Sequence, residues 1–337
     1  MNIPVGIVGV TGYAGQELLK ILRRHPHVSI SYLGSKRLKK PEPFQGLTLL
    51  PFDASQAARR CRVLFLAMPH GEAMKLAPSL LKNGDLKIID ISGDFRLKSA
   101  SLFKSAYGMP HASSSLLSKA VYGLPELNRA KIPGCRLVAN PGCYPTSALL
   151  ALAPLAEKGL LPSEGVIVNS VSGTSGAGRS AKTELLFCEI NEDFRAYKVD
   201  KHQHTPEIEQ ELGRLAKKKL SLTFVPHLGP FDRGILSTIY VPLTRKISEA
   251  ALRGLYETKY RKEPFVKLLP KGTWPAVKPV NGTNRCDLGV HLDPSGKRAV
   301  ILSAIDNLVK GAAGQAVQNM NLLFGWNEQT ALTPSGR

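Results

Sequence analysis

Up to Asn140 the chain alternates short apolar runs with stretches of helical spacing. Val5 to Val8 is apolar, glycines follow, and helical spacing runs from Gln16 to Arg24. Further apolar runs at Val28–Leu33, Val63–Met68, Lys87–Ile91 and Leu137–Ala139 read as strands, with a helix over Gly71–Lys82. This alternation predicts a parallel, doubly wound sheet. From Val166 onward the pattern changes. Runs at Val166–Val171, Leu222–Val225 and Ile235–Val241 lie closer together between polar loops, and Ser248–Tyr260 has helical spacing. That predicts an α+β domain with a mixed or antiparallel sheet. Leu308–Leu323 is helical, carries small residues, and is expected to return and pack on the first domain.

Length agrees with this division, because 337 residues exceed what one ordinary core supports. The expected boundaries are 1–142 with 306–337 for the first domain and 143–305 for the second. Hydrophobic residues make up 43% and charged residues 21%, the balance of a packed globular protein. No stretch reaches the roughly 18 apolar residues of a membrane helix. Met1–Val10 lacks a basic region and a cleavage site, so it reads as a first strand rather than a signal peptide, and the protein is expected to be cytoplasmic. Five scattered cysteines, odd in number and without a CxxC pair, argue against a disulfide framework and a zinc site. The net charge of +19 admits nucleic acid, acidic lipid or anionic substrates as partners. The positive residues are scattered, and no nucleic-acid motif accompanies them.

Candidate chemistry begins at Gly9–Gly15, GVTGYAG, after the first strand and opening a helix. Gly9, Thr11, Gly12, Tyr13, Ala14 and Gly15 there suit a pyrophosphate at a helix N-terminus. The spacing is GxxGxxG rather than GxGxxG, and an ordinary glycine-rich turn is the alternative. At the end of the second strand, where an NAD site places a carboxylate, the chain reads Ser35-Lys36-Arg37. A hydroxyl and two cations suit a ribose 2′-phosphate, so Ser35 and Arg37 point to NADP; a solvated charged loop is the alternative.

Asn140–Thr146 reads NPGCYPT, and an apolar helix is expected from Ser147 to Leu155. Cys143 would then lie just before a helix N-terminus, where the dipole and free N–H groups favour a thiolate. Lys201–Ile208, KHQHTPEI, supplies His202 and His204 for acid/base work, with Glu207 placed to orient an imidazole. The two histidines lack a third ligand at metal-binding spacing, so no metal is expected. Ser172–Arg179, SGTSGAGR, offers Ser172, Gly173 and Arg179 as an anion nest. Arg96, in SGDFRL, either holds an anionic substrate or is a solvated arginine.

Taken in order, these motifs resemble the N-acetyl-gamma-glutamyl-phosphate reductases of arginine biosynthesis. The resemblance runs nearly end to end. It adds the MPHG turn at Met68–Gly71, YGLPEL at Tyr122–Leu127, NGTN at Asn281–Asn284 and AIDNLVKGAAGQAVQN at Ala304–Asn319. It implies a Rossmann-type dinucleotide-binding domain, a catalytic and dimerisation domain with a mixed sheet, and a homo-oligomer, dimer or tetramer. It implies Cys143 as nucleophile and the His202/His204 pair as the acid/base motif, with His204 preferred. Asn307 matches a nicotinamide-side position, Pro69 joins the cofactor set, and Arg96, Glu126 and Ser172 fall on the substrate side. The implied reaction is NADPH-dependent reduction of an acyl phosphate through a Cys143 thioester. A related branch acts on carrier-protein-linked substrates, but the NPGCYPT segment has the free-substrate form. The alternative of another class, a basic nucleic-acid-binding protein on a dehydrogenase-like fold, would be marked by loss of the cysteine or glycine motifs, and both are present.

Overall fold

The computed structural model describes residues 2–82 and 84–332; residues 1, 83 and 333–337 of the expected first domain lie outside them. Residues through Gly142, together with those from Ala312 onward, form one compact unit, and Cys143–Gly311 form another.

The first unit opens with β1 (Ile3–Val8), α1 (Tyr13–Leu22), β2 (Val28–Ser35), β3 (Glu42–Phe44) and β4 (Leu47–Pro51). It continues with α2 (Ala54–Arg60), β5 (Val63–Leu66), α3 (Ala73–Leu80), β6 (Lys87–Asp90) and α4 (Ala100–Tyr107). Then come β7 (Val121–Tyr122), α5 (Pro125–Asn128) and β8 (Leu137–Ala139). The sheet order is β3-β4-β2-β1-β5-β6-β8-β7, parallel throughout except for the β3–β4 hairpin. Central strands are apolar without alternation because helices cover both faces; all of Val63–Leu66 is buried. From β1 the chain steps to β2 on one side and later to β5 on the other. The C-terminal ends of β1 and β5 therefore flank the point where ligands bind in such sheets.

The second unit begins with α6 (Cys143–Glu157), β9 (Val166–Ser172), α7 (Phe187–Ile190), β10 (Arg195–Ala196) and α8 (Thr205–Ala216). It ends with β11 (Leu222–Leu228), β12 (Ile235–Pro242), α9 (Glu249–Tyr260), β13 (Val266–Leu268), β14 (Cys286–Leu292) and β15 (Arg298–Ile305). Its order is β10-β11-β9-β12-β15-β14-β13, with parallel β11–β9 and β13–β14 pairs in an otherwise antiparallel sheet. The expected mixed sheet is present. Helix α6 lies on β12 and β15, flanked by α8 and α9. On the opposite face Ile167 and Tyr240, paired in register across β9 and β12, are 41% and 40% exposed.

A π-helical turn, Val309–Ala313, leads into α10 (Gly314–Leu323), which lies against α1 and β6 in the first unit. The chain leaves the second unit at Gly311 rather than at residue 305. The side chains of Asp306 and Asn307 explain the later crossing. Asp306 accepts from Gly282 N at 2.6 Å, and Asn307 Oδ1 accepts from Gly234 N at 2.6 Å, all within the second unit. Among the described residues, no helix is long and apolar enough to cross a membrane.

Beyond β6, the SGDFRL segment braces two turns of the first unit. Asp94 accepts from Gly71 N at 2.8 Å and Met74 N at 2.9 Å, holding the MPHG turn and the start of α3. Asp90 is fully buried, and burial first, then the Asp94 charge, pushes its carboxyl up to about 6. An unfolded Asp titrates near 3.9, so the folded chain holds an extra proton between about pH 4 and 6. The stability this group contributes is present below that window and lost as the pH rises through it. Asp90→Asn should therefore match the parent in Tm at pH 4 and exceed it at pH 7.5; a difference independent of pH would contradict this assignment.

Candidate active site

The β1–α1 turn is shaped by its glycines. Gly9 has φ +90°, and a Cβ there would strike the carbonyl of Ala67 at the end of β5. A Cβ on Gly15 would strike the Gly9 carbonyl. Gly12 caps α1 without a side-chain bond, and Gln16 Nε2 donates to Thr11 O at 3.0 Å across the turn. Exposed Tyr13 and half-buried Ala14 start the helix. This is a side-chain-free cradle at a helix N-terminus, at the sheet's switch point, and it fits a dinucleotide pyrophosphate.

At the end of β2, Ser35 is buried and its Oγ accepts from Arg37 N at 3.3 Å. Lys36 is ion-paired with Glu72, while Arg37 is exposed. The Lys36 ammonium holds the Glu72 carboxyl below its ordinary value, with Lys75 assisting. Pro69 is exposed in the turn after β5. A hydroxyl and an exposed guanidinium beside the β2 end suit a phosphate better than a ribose hydroxyl pair.

Arg96 and Glu126 are buried in this unit. Arg96 Nε donates to Asn140 O at 2.7 Å and Nη2 to Ile91 O at 3.0 Å. It is thus neither solvated nor an open anion clamp: it grips the backbone of the NPGC turn. Glu126 accepts from Gln318 Nε2 of α10 at 3.4 Å.

In the second unit, Cys143 is the first residue of α6, not a residue ahead of it. The helix begins earlier than expected because Pro145 falls in the first turn, where its missing N–H would have no partner anyway. Cys143 is half-buried, while Tyr144–Ala156 is buried throughout. Tyr144 joins the two key motifs. Its ring lies 5.6 Å from His202 and 5.9 Å from His204, centroid to centroid, and the two imidazoles are 4.7 Å apart. Tyr197 donates to the Tyr144 hydroxyl at 3.2 Å, and Tyr144 donates to His227 O at 3.2 Å. Burial, then the Tyr197 hydroxyl, holds Tyr144 far above the ordinary phenol value, and burial pushes Tyr197 up to about 12. Both therefore act as neutral donors.

His202 and His204 are buried just before α8, with His204 as its N-cap and Glu207 buried in the first turn. His202 Nδ1 accepts from His204 N at 3.1 Å, so the neutral imidazole carries its proton on Nε2. Among the described residues, no group of three or more His, Cys, Asp or Glu could hold a metal.

The SGTSGAGR nest does not form. The N–H groups of Gly173, Thr174 and Ser175 donate to the carbonyls of Gly234, Phe231 and Asp232 at 2.9, 2.9 and 3.0 Å. Ser172 Oγ donates to Gly173 O at 2.9 Å. These amides secure a close approach to the 230–234 turn, where a Cβ on Gly173 would lie 2.6 Å from Asp232 O. Arg179 is exposed beyond them. Asn307 Nδ2 reaches Ser175 Oγ at 3.0 Å, so its amide ties the two loops together. Sequence reading passed over Tyr144, Tyr197 and Gly311. Tyr144 was signalled only by its place after the cysteine, and Gly311 by its place in VKGAAG.

Residues 4–134 match the family described as semialdehyde dehydrogenase, NAD binding domain, and residues 143–307 match semialdehyde dehydrogenase, dimerisation domain. Aspartate semialdehyde dehydrogenase II from Vibrio cholerae superposes with a TM-score of 0.73 at 19% identity, covering 96% of this chain and 99% of that one. The Candida albicans enzyme, solved with NADP, gives 0.69 at 14% identity, with 96% and 99% covered. The chain belongs to the semialdehyde dehydrogenase family, in the branch of the N-acetyl-gamma-glutamyl-phosphate reductases. Proteins of that name from Desulforudis audaxviator and Pelotomaculum thermopropionicum are each 48% identical to it. They cover 99% and 100% of this chain, and 99% of each relative is covered.

The hydroxyl chain through Tyr144 gives a direct test. Tyr144→Phe removes its donor bond to His227 O and should lower stability by about 1 kcal/mol in urea unfolding. An unchanged midpoint would show that this buried link carries no weight.

Proposed function

We propose that the protein reduces N-acetyl-gamma-glutamyl phosphate to the corresponding semialdehyde, releasing phosphate, with NADPH as the electron donor. The observation that carries the reading is the placement of Cys143. It opens a buried helix, and the next residue gathers His202 and His204. The names of the relatives support this substrate over a carrier-linked one or a nucleic-acid role.

The Cys143 thiolate adds to the acyl carbon, the carbon–oxygen bond to phosphate breaks, and phosphate leaves with the electron pair. The product is a thioester. The N-terminus of α6 favours the thiolate and offers N–H groups to the developing oxyanion. When bound, NADPH supplies a hydride to the thioester carbon. His204, with Glu207 beside it in α8, manages the proton at the thiohemiacetal oxygen, and the carbon–sulfur bond then breaks to release aldehyde and thiolate. The Gly9–Gly15 turn would hold the pyrophosphate, and Ser35 and Arg37 the 2′-phosphate.

None of the five cysteines forms a disulfide, as is usual for a cytoplasmic protein. We also infer a homo-oligomer that covers the sheet face around Ile167 and Tyr240.

Three measurements test this reading. Cys143→Ser should fold normally yet lose phosphate-dependent NADP reduction with the semialdehyde by roughly 10³-fold or more; near-parental turnover would remove it from the reaction. Arg37→Ala should raise KM for NADPH about tenfold and leave KM for NADH unmoved, and a parental preference for NADH would overturn the NADP assignment. Tyr240→Glu should convert the oligomer to a smaller species in light scattering; an unchanged mass would place the interface elsewhere.

A further inference from the structure

Helix α6 is apolar on nearly every side, yet the sheet beneath its first turns carries a row of hydroxyls. Ser170, Ser237 and Ser303 stand in register across β9, β12 and β15, and all are buried. Ser147 of α6 reaches down into that row. Its Oγ lies 2.9 Å from Ser237 Oγ and 3.0 Å from Ser303 Oγ; Ser170 Oγ is 2.7 Å from Ser237 Oγ. Cys286 Sγ is 3.4 Å from Ser303 Oγ.

Each hydroxyl has one proton, which gives the row a direction. Ser147 donates to Ser303, so Ser237 must donate to Ser147, and Ser170 to Ser237. The remaining Ser303–Cys286 contact closes the far end. Ser147 is the central link.

Apolar burial has no direction of its own, so the contacts of Leu149, Leu150 and Leu152 do not by themselves fix the register of the helix; the hydroxyls of Tyr256 and Tyr260 tie its middle, at Ala151 O and Leu150 O, and Ser147 ties its first turns. A one-residue slip moves a helix about 1.5 Å along its axis, enough to break both Ser147 bonds and strand buried hydroxyls. Cys143 precedes Ser147 by four residues and so lies on the same helix face, one turn nearer the N-terminus. On that side Gly311, beyond β15, closes the space: a Cβ on it would lie 2.8 Å from Cys143 Cβ. Strand β15 and the turn after it therefore engage α6 at two levels, by hydrogen bond at Ser147 and by close packing at Cys143.

We propose that Ser147, held by Ser237 and Ser303 and with Gly311 as the stop, is a positioning residue that sets the location of the Cys143 sulfur for acyl transfer. This rests on the reading of Cys143 as the nucleophile.

The experiment compares Ser147→Ala with Ser170→Ala in the full-length enzyme. Both remove one buried hydroxyl from the same row, but only the first cuts the bonds between that row and the first turns of α6. Tm, kcat, KM and the pH profile of iodoacetamide alkylation, read by mass spectrometry on the peptide carrying Cys143, are measured for each. Ser147→Ala should lower kcat about tenfold or more, keep KM within about twofold, and shift the alkylation profile. Ser170→Ala should lose similar stability with kcat and alkylation at parental values. Equal kcat and equal alkylation in the two variants would overturn the proposal and leave the row a purely structural feature. If Ser147→Ala fails to fold, Ser303→Ala cuts the same link and Gly311→Ala tests the stop; parental alkylation in both would be equally decisive. Cys143→Ser separates this idea from its premise, because a fully active Cys143→Ser enzyme defeats the nucleophile reading, whatever the serine variants do.

Discussion

Helix α6 can present a thiol at its first residue only because everything after that residue is buried. From Tyr144 to Ala156 the helix is enclosed by the second sheet and by α8 and α9. A terminus anchored in this way holds the positive end of the helix dipole at a fixed place, where it acts on whatever stands at the cap. The hydroxyl of Tyr256 donates to Ala151 O of α6 at 2.6 Å, adding a polar tie from α9 to the apolar packing. The chemistry proposed for Cys143 depends on this rigidity more than on any single contact of the sulfur.

The same constraint orders the neighbours. Tyr144 cannot leave the interior, so its hydroxyl must find partners there, and it finds Tyr197 and the carbonyl of His227. Its ring then becomes a wall against which His202 and His204 pack. In the first unit the corresponding device is backbone rather than side chain. Asp94 and Arg96 use their charges on N–H groups and carbonyls, fixing the MPHG turn and the backbone at Asn140. Charged groups buried in this way are held by several hydrogen bonds each, which is what makes their burial tolerable.

Much of this was legible in the chain. The parallel strands of the first unit are short and mostly apolar, so β1, β2, β5, β6 and β8 were found within a residue or two, and α9 with its Ser248 cap likewise. The β3–β4 hairpin, α2 and α4 were not read, because they are short and half-exposed and leave little periodicity. The start of α6 was placed too late, since a proline near a helix start reads as a break unless its position within the first turn is known. Arg96 was read either as an anion holder or as a solvated arginine, and the SGTSGAGR loop as an anion nest, from residue type and from the family resemblance. Only the fold reveals that the guanidinium and the amides already have backbone partners.

By itself the sequence determined the class of the strongly patterned elements, the order of the motifs and the residue types available for chemistry. Those follow from local periodicity, from glycine and proline geometry, and from side-chain reactivity. Tertiary structure decided which groups remain available. Whether an N–H, a guanidinium or a hydroxyl faces a ligand or another part of the chain depends on partners distant in sequence. Ser147 and Ser303 are 156 positions apart, and nothing local announces that they meet.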